Sequence, residues 1–103
     1  MIKPIVIRQK DGSKRNIGKY DEGSKTFTTY RDTKKHLLIK YNAWAIDVKV
    51  LEFLIENEAT VVVESGKKTY IVSAKKFMKE GRQINFSHHR KQIALNRDEF
   101  NIS

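Results

Sequence analysis

Three bends in this chain are written in nearly the same letters, and they limit its fold more than any other feature does. Asp11-Gly12-Ser13-Lys14, Glu22-Gly23-Ser24-Lys25 and Glu64-Ser65-Gly66-Lys67 each place an acid, a Gly and a Ser at a bend, with Lys entering the next strand. Gly adopts positive φ without steric cost, and Asp-Gly is favoured in tight hairpin turns. The flanking segments do not match one another, so the recurrence reads as convergent turn chemistry and not as internal duplication. A chain punctuated in this way folds as hairpins, and any helix has to fit between them.

The segments around the bends agree. Ile5, Ile7 and Gln9 alternate with Pro4, Val6 and Arg8, a period of two. Lys14 to Tyr20 is a more polar second run, and Lys25-Thr26-Phe27-Thr28-Thr29-Tyr30-Arg31 has the Thr and aromatic content of strands. His36 to Tyr41 reads as a further strand, with Leu37, Ile39 and Tyr41 on one face. Thr60 to Glu64 and Thr69 to Val72 form a hairpin around Ser65-Gly66, and Ile84, Phe86 and His88 alternate with Gln83, Asn85 and Ser87. Ile93 and Leu95 offer a matching apolar face across a His89-Arg90 turn, and Phe100 and Ile102 fold the tail back onto the body.

Two segments break the strand pattern. Over residues 47–57, Val50, Leu51, Leu54 and Ile55 make an apolar stripe while Lys49, Glu52 and Glu56 face water. Asp47 is the N-cap of that helix, and Ile46 before it staples against Leu51. Ser73 caps a shorter helix near 74–80, which Gly81 ends. The order predicts an α+β, β-rich single domain over 1–103, with about six to eight short antiparallel strands in hairpins or a partly open barrel. In strand order it is similar to the OB-fold. The opening hairpins resemble, in strand and turn pattern alone, the three-stranded-sheet DNA-binding modules of integrases.

Composition removes several function classes. With no Cys there are no disulfides, thiol nucleophiles or Cys-based zinc sites. The N-terminus has no apolar run long enough for a signal peptide and no segment has the length of a membrane span, so a cytoplasmic protein is expected. Ten aromatics argue against disorder. Walker-type, dinucleotide-binding, nucleophile-elbow and paired-His metal motifs are missing, and no cofactor or metal is expected.

Charge carries the positive case. The formal net charge is +9, and it is segregated. Residues 1–40 hold 11 Lys/Arg against 4 Asp/Glu, and residues 65–103 hold 9 against 3. Between them Lys49 stands against Asp47, Glu52, Glu56, Glu58 and Glu64. Lys10, Lys14, Arg15, Lys19, Lys25 and Arg31 fall on the first hairpins, and Arg15, Lys19 and Lys25 share a face if the registers are regular. Lys34, Lys35, Lys75, Lys76, Lys79 and Arg82 supply further phosphate contacts. So does the His88-His89-Arg90-Lys91 turn. If those hairpins share a face away from the helix, the molecule is cationic on its sheet and anionic on its helix.

The leading expectation is a small, non-enzymatic nucleic-acid-binding protein, with DNA favoured, acting through a cationic β-hairpin surface. Small, basic, Cys-free chains of this kind are common in phages and mobile elements. One alternative is a protein-interaction module, such as a phage accessory factor or host-factor inhibitor, working through the acidic face of helix 47–57 or a free strand edge. Another is a small nuclease using His88, His89 and Arg90, although adjacent strand residues point to opposite faces and do not naturally chelate one metal. Tyr20, Tyr30 and Tyr70 are placed either to stack bases or to cover the core edge.

Overall fold

All three bends join antiparallel strands, but in the second the left-handed residue is Lys25, at φ +54, and not Gly23. The structure is a computed structural model and describes residues 1–8, 11–29, 43–84 and 91–102. The expected strand over His36 to Tyr41 lies outside these residues, as do Phe86 and the His88-His89-Arg90 turn. Strands β1 (Ile2–Arg8), β2 (Lys14–Asp21) and β3 (Thr26–Thr29) form an antiparallel meander. In the first bend Gly12 takes φ +89 and the Asp11 carboxylate accepts from the Ser13 backbone N–H at 2.9 Å and its hydroxyl at 2.6 Å.

Strand β4 (Ala43–Asp47) runs without a loop into helix α1 (Val48–Glu56). Asp47 is both the last strand residue and the N-cap, accepting from the N–H groups of Lys49 at 2.9 Å and Val50 at 3.2 Å. The helix ends in a Schellman motif: Glu58 N–H donates to the Ile55 carbonyl and Ala59 N–H to the Leu54 carbonyl. Strands β5 (Thr60–Ser65) and β6 (Lys68–Ser73) follow as a hairpin, with Gly66 at φ +64 in the first central position of its two-residue turn. Helix α2 (Ala74–Glu80) begins on the Ser73 cap, whose hydroxyl accepts from Lys76 N–H at 3.1 Å. Then come β7 (Arg82–Ile84), β8 (Gln92–Asn96), a 3-10 turn at Arg97–Glu99 and β9 (Asn101–Ile102).

The α+β, β-rich class is the one the sequence predicts, with specific differences. Nine strands occur among the described residues, in a six-stranded sheet of order β1-β2-β3-β5-β6-β9 and a three-stranded sheet of order β4-β8-β7. The expected hairpins lie within these two sheets, and among the described residues the strands do not close into the alternative, a partly open barrel. One pairing, β3 with β5, is parallel, because β4 and α1 intervene between them. Gly81 closes α2 with extended backbone at φ −78, not with a left-handed cap. Ile84 pairs with Gln92, so it does not share the face of Ile93 and Leu95.

The core lies between the large sheet on one side and both helices plus the small sheet on the other. Tyr20, Phe27, Val61, Val63, Tyr70 and Val72 come from the inner face of the large sheet. Val50, Leu51 and Leu54 come from α1, Ala74 and Phe77 from α2, and Ile46, Ile93 and Leu95 from the small sheet. Full burial of side chains such as Phe27, Phe77, Leu51 and Leu54 contributes roughly 1.5–3 kcal/mol each. Trp44 is partly buried and ties the layers together. Its ring lies 4.8 Å from Tyr70 and 5.2 Å from Phe100, which the returning tail buries as expected. Ile102, expected to fold back with it, stays 61% exposed.

The irregularity that matters most for surface chemistry lies in β2. Ile5 pairs with Gly18 and Val6 with Asn16, so Ile17 is an extra residue, a β-bulge. One extra residue reverses the parity of everything before it. Lys19, opposite Pro4 and Thr28, is on the outer face, whereas Arg15, opposite the buried Ile7, is on the core side. The expected common face of Arg15, Lys19 and Lys25 therefore does not form.

Candidate nucleic-acid interface

Helix α2 sets out the most continuous group of expected contact residues. It buries Ala74 and Phe77, which leaves Lys75, Lys76 and Lys79 exposed. Lys75 and Lys79 lie one turn apart on the same side of the helix. Arg82 follows, exposed at the start of β7 opposite Ala94. Lys76 is partly engaged, since its ammonium donates to the Glu99 carbonyl at 3.1 Å and ties α2 to the 3-10 turn.

These positions work against the helix. The positive end of a helix dipole favours acids in the first turn, yet that turn of α2 holds Lys75 and Lys76 and no acid. Like charges at the spacing of Lys75 and Lys79 cost a further 0.2–0.5 kcal/mol, roughly. Only Lys79, in the last turn, agrees with the dipole.

The other expected residues are dispersed. Lys14 and Lys19 lie on the outer face of the large sheet, with Lys14 directly opposite Arg8. Lys25 sits in the β2–β3 turn at φ +54, where its carbonyl accepts from Thr60 N–H at 2.9 Å and joins the meander to β5. In the same turn the Asp21 carboxylate is held below its usual range, chiefly by the Gly23 backbone N–H at 2.9 Å, with Ser24 adding to the effect. Lys91 is exposed at the start of β8, and its carbonyl accepts from Val48 N–H at 3.0 Å. Strand spacing puts it about 10 Å from the level of Arg82. Lys10, Arg31, Lys34, Lys35, His88, His89 and Arg90 lie outside the described residues.

Among the described residues the expected division into a cationic sheet and an anionic helix does not form either. Helix α1 does present Glu52 and Glu56 outward, but α2 packs against it in the same layer and carries lysines. The outer face of the large sheet mixes Lys14 and Lys19 with Asp21 and Glu64. Tyr20 and Tyr70 are buried at 3% and 7% exposure and belong to the core, so neither offers a free ring to a base. Tyr30 lies outside the described residues.

Two cations that charge clustering passed over meet at a groove. Lys3 and Lys49, with Pro4, Ile5, Val6, Ile7, Val50 and Phe53, line a space of about 430 Å³ between β1 and α1. For Lys3 alone a signal was present in the sequence, because strict alternation in β1 puts it on the face of Ile5 and Ile7. Among the described residues, no group of three or more His, Asp or Glu is placed to hold a metal ion, and no helix is long and apolar enough to cross a membrane. Comparison with family models, curated proteins and solved structures finds no match to this chain.

Proposed function

We propose that this is a non-enzymatic nucleic-acid-binding protein, with DNA the favoured ligand, that contacts backbone phosphates through Lys75, Lys76 and Lys79 of α2 and Arg82 of β7. The observation that supports it best is the placement of lysines in the first turn of α2, where helix stability favours acids. Solubility alone is served by cations anywhere on the surface. A row of exposed Lys and Arg on one element matches a line of phosphates, and neutralising them releases counterions. The net charge of +9 adds long-range attraction to the same ligand. This reading moves the contact from the expected β-hairpins to a helix and the strand after it.

The test is an electrophoretic titration against single- and double-stranded DNA and RNA at two salt concentrations. The reference protein should bind, and its affinity should fall steeply with salt. The triple variant Lys75→Glu/Lys79→Glu/Arg82→Glu should lower the slope of log K against log salt by about 0.9 per lost duplex contact, or about 3 in all. Lys14→Glu/Lys19→Glu should have a small effect. No retention at low salt sinks the function, and a larger loss from the β2 pair sinks the location.

A further inference from the structure

Strand β1 is an edge of the large sheet, paired only with β2 among the described residues. Its backbone pattern follows from one bond: Glu22 N–H donates to the Met1 carbonyl, so Met1 and Glu22 form a hydrogen-bonded pair. Pairs alternate along an antiparallel ladder. Ile2, Pro4 and Val6 therefore turn their backbone polar groups away from β2, toward the edge with which no strand among the described residues pairs. Pro4 has no N–H to leave stranded there, which fits the confinement of Pro to such positions. The edge is also apolar, with Ile2 61% and Val6 50% exposed.

The groove lies on the α1 side of this edge. Its floor is Ile5, Ile7, Val50 and Phe53, and its charged members are Lys3 and Lys49, with no carboxylate among the described residues that line it. Lys3 has its ammonium 5.7 Å from the centre of the Phe53 ring and 3.3 Å from Glu22. Both partners of that ion pair are about half exposed, so the pair is weak and open to exchange. Lys49 stands in the first turn of α1, whose N–H groups are already capped by the Asp47 carboxylate, so its ammonium is the positive charge that α1 brings to the groove.

We infer that β1 accepts an extended acidic peptide segment of a partner protein as a seventh strand. The incoming strand pairs with the outward groups of Ile2, Pro4 and Val6, and alternate side chains enter the groove. Apolar ones meet Ile5, Ile7 and Phe53, and carboxylates meet Lys3 and Lys49. A second copy of this chain fits poorly, because edge-to-edge pairing would bring two sets of these lysines together within a dimer of molecules that each carry +9. The inference is independent of nucleic-acid binding, since neither Lys3 nor Lys49 belongs to the α2 row.

The probe is a fluorescently labelled, end-blocked peptide, Glu-Thr-Val-Thr-Val-Thr-Glu, followed by anisotropy, with the same peptide carrying Lys for Glu as control. Saturable binding of the acidic probe is expected, with at least about tenfold weaker binding of the Lys probe. Val6→Pro, which removes an outward N–H, and Lys49→Glu should each weaken the acidic probe about tenfold or more. Lys49→Ala serves if Lys49→Glu unfolds, and circular dichroism melts check each variant. DNA retention should be the same in all three. No saturation by about 1 mM probe overturns the proposal, as does binding that neither substitution at Lys49 nor Val6→Pro weakens. So does a dimer in sedimentation that Val6→Pro dissolves, which makes a second copy the occupant. Equal loss of DNA binding in Lys49→Glu also overturns it, because the groove would then serve phosphates.

Discussion

Glu58→Gly should stabilise this protein. Glu58 follows the C-cap of α1 with φ +52, exposed to solvent, while its N–H and that of Ala59 close the Schellman motif at 3.0 and 2.8 Å. A residue with a Cβ in this left-handed conformation pays roughly 1–2 kcal/mol that Gly does not. Against that, Gly loosens the unfolded chain and costs about 0.4–1 kcal/mol. Removing a carboxylate from the negative end of the helix dipole returns about 0.3 kcal/mol. The net gain is about 1 kcal/mol, and no buried contact is sacrificed.

For a domain of this size a gain of about 1 kcal/mol raises Tm by roughly 4–8 °C. Thermal melts and urea denaturation followed by circular dichroism measure it, and the urea midpoint should rise with unchanged m. Glu58→Ala separates the contributions, because it removes the charge and keeps the strain. It should gain no more than about 0.3 kcal/mol. Equal stability of the Gly and Ala variants, or a lower Tm in Glu58→Gly, refutes the argument from backbone strain.

Two further substitutions test the supports of the fold. Asp47→Ala removes a cap that is 2% exposed and holds two N–H groups, so urea denaturation should register a loss of about 1–2 kcal/mol, most of it restored in Asp47→Asn. Gly18→Ala places a Cβ against the Thr28 carbonyl and 2.9 Å from the Phe27 ring, so β2 and β3 have to shift apart. A loss of about 1–3 kcal/mol is expected in the same assay, and a neutral variant would mean that the sheet yields there freely.

Features fixed by neighbouring residues were legible in the sequence. The cap at Asp47, the Val50-Leu51-Leu54 stripe, the Gly66 turn and the Ser73 cap each depend on a few adjacent positions. Features set by pairing across the chain were not. The parallel contact of β3 with β5 depends on what α1 and β4 do between them. The bulge at Ile17 leaves no signal in a run as polar as Lys14 to Tyr20, yet it decides which face carries Arg15. The candidate site divides the same way. The lysines of α2 were visible as a cluster, and their side of the helix follows from Ala74 and Phe77. That Lys3 and Lys49 meet depends on β1 lying beside α1, which no local pattern encodes.

Apart from the Asp47 cap and Lys79, the charges at the helix ends run against helix stability, and that is the most informative property of this surface. Helix α1 has Lys49 at its positive end and Glu58 just past its negative end, while α2 begins with Lys75 and Lys76. Reversing the charge at these positions would favour each helix by about 0.3–1 kcal/mol. Local rules are most often broken where function needs it. These lysines therefore direct attention to the β1 groove and to the Lys75–Arg82 row. Generic solubilisation predicts cations scattered without regard to helix polarity. The two proposed contacts account for this placement, and the β1 groove and the Lys75–Arg82 row can be disabled one at a time.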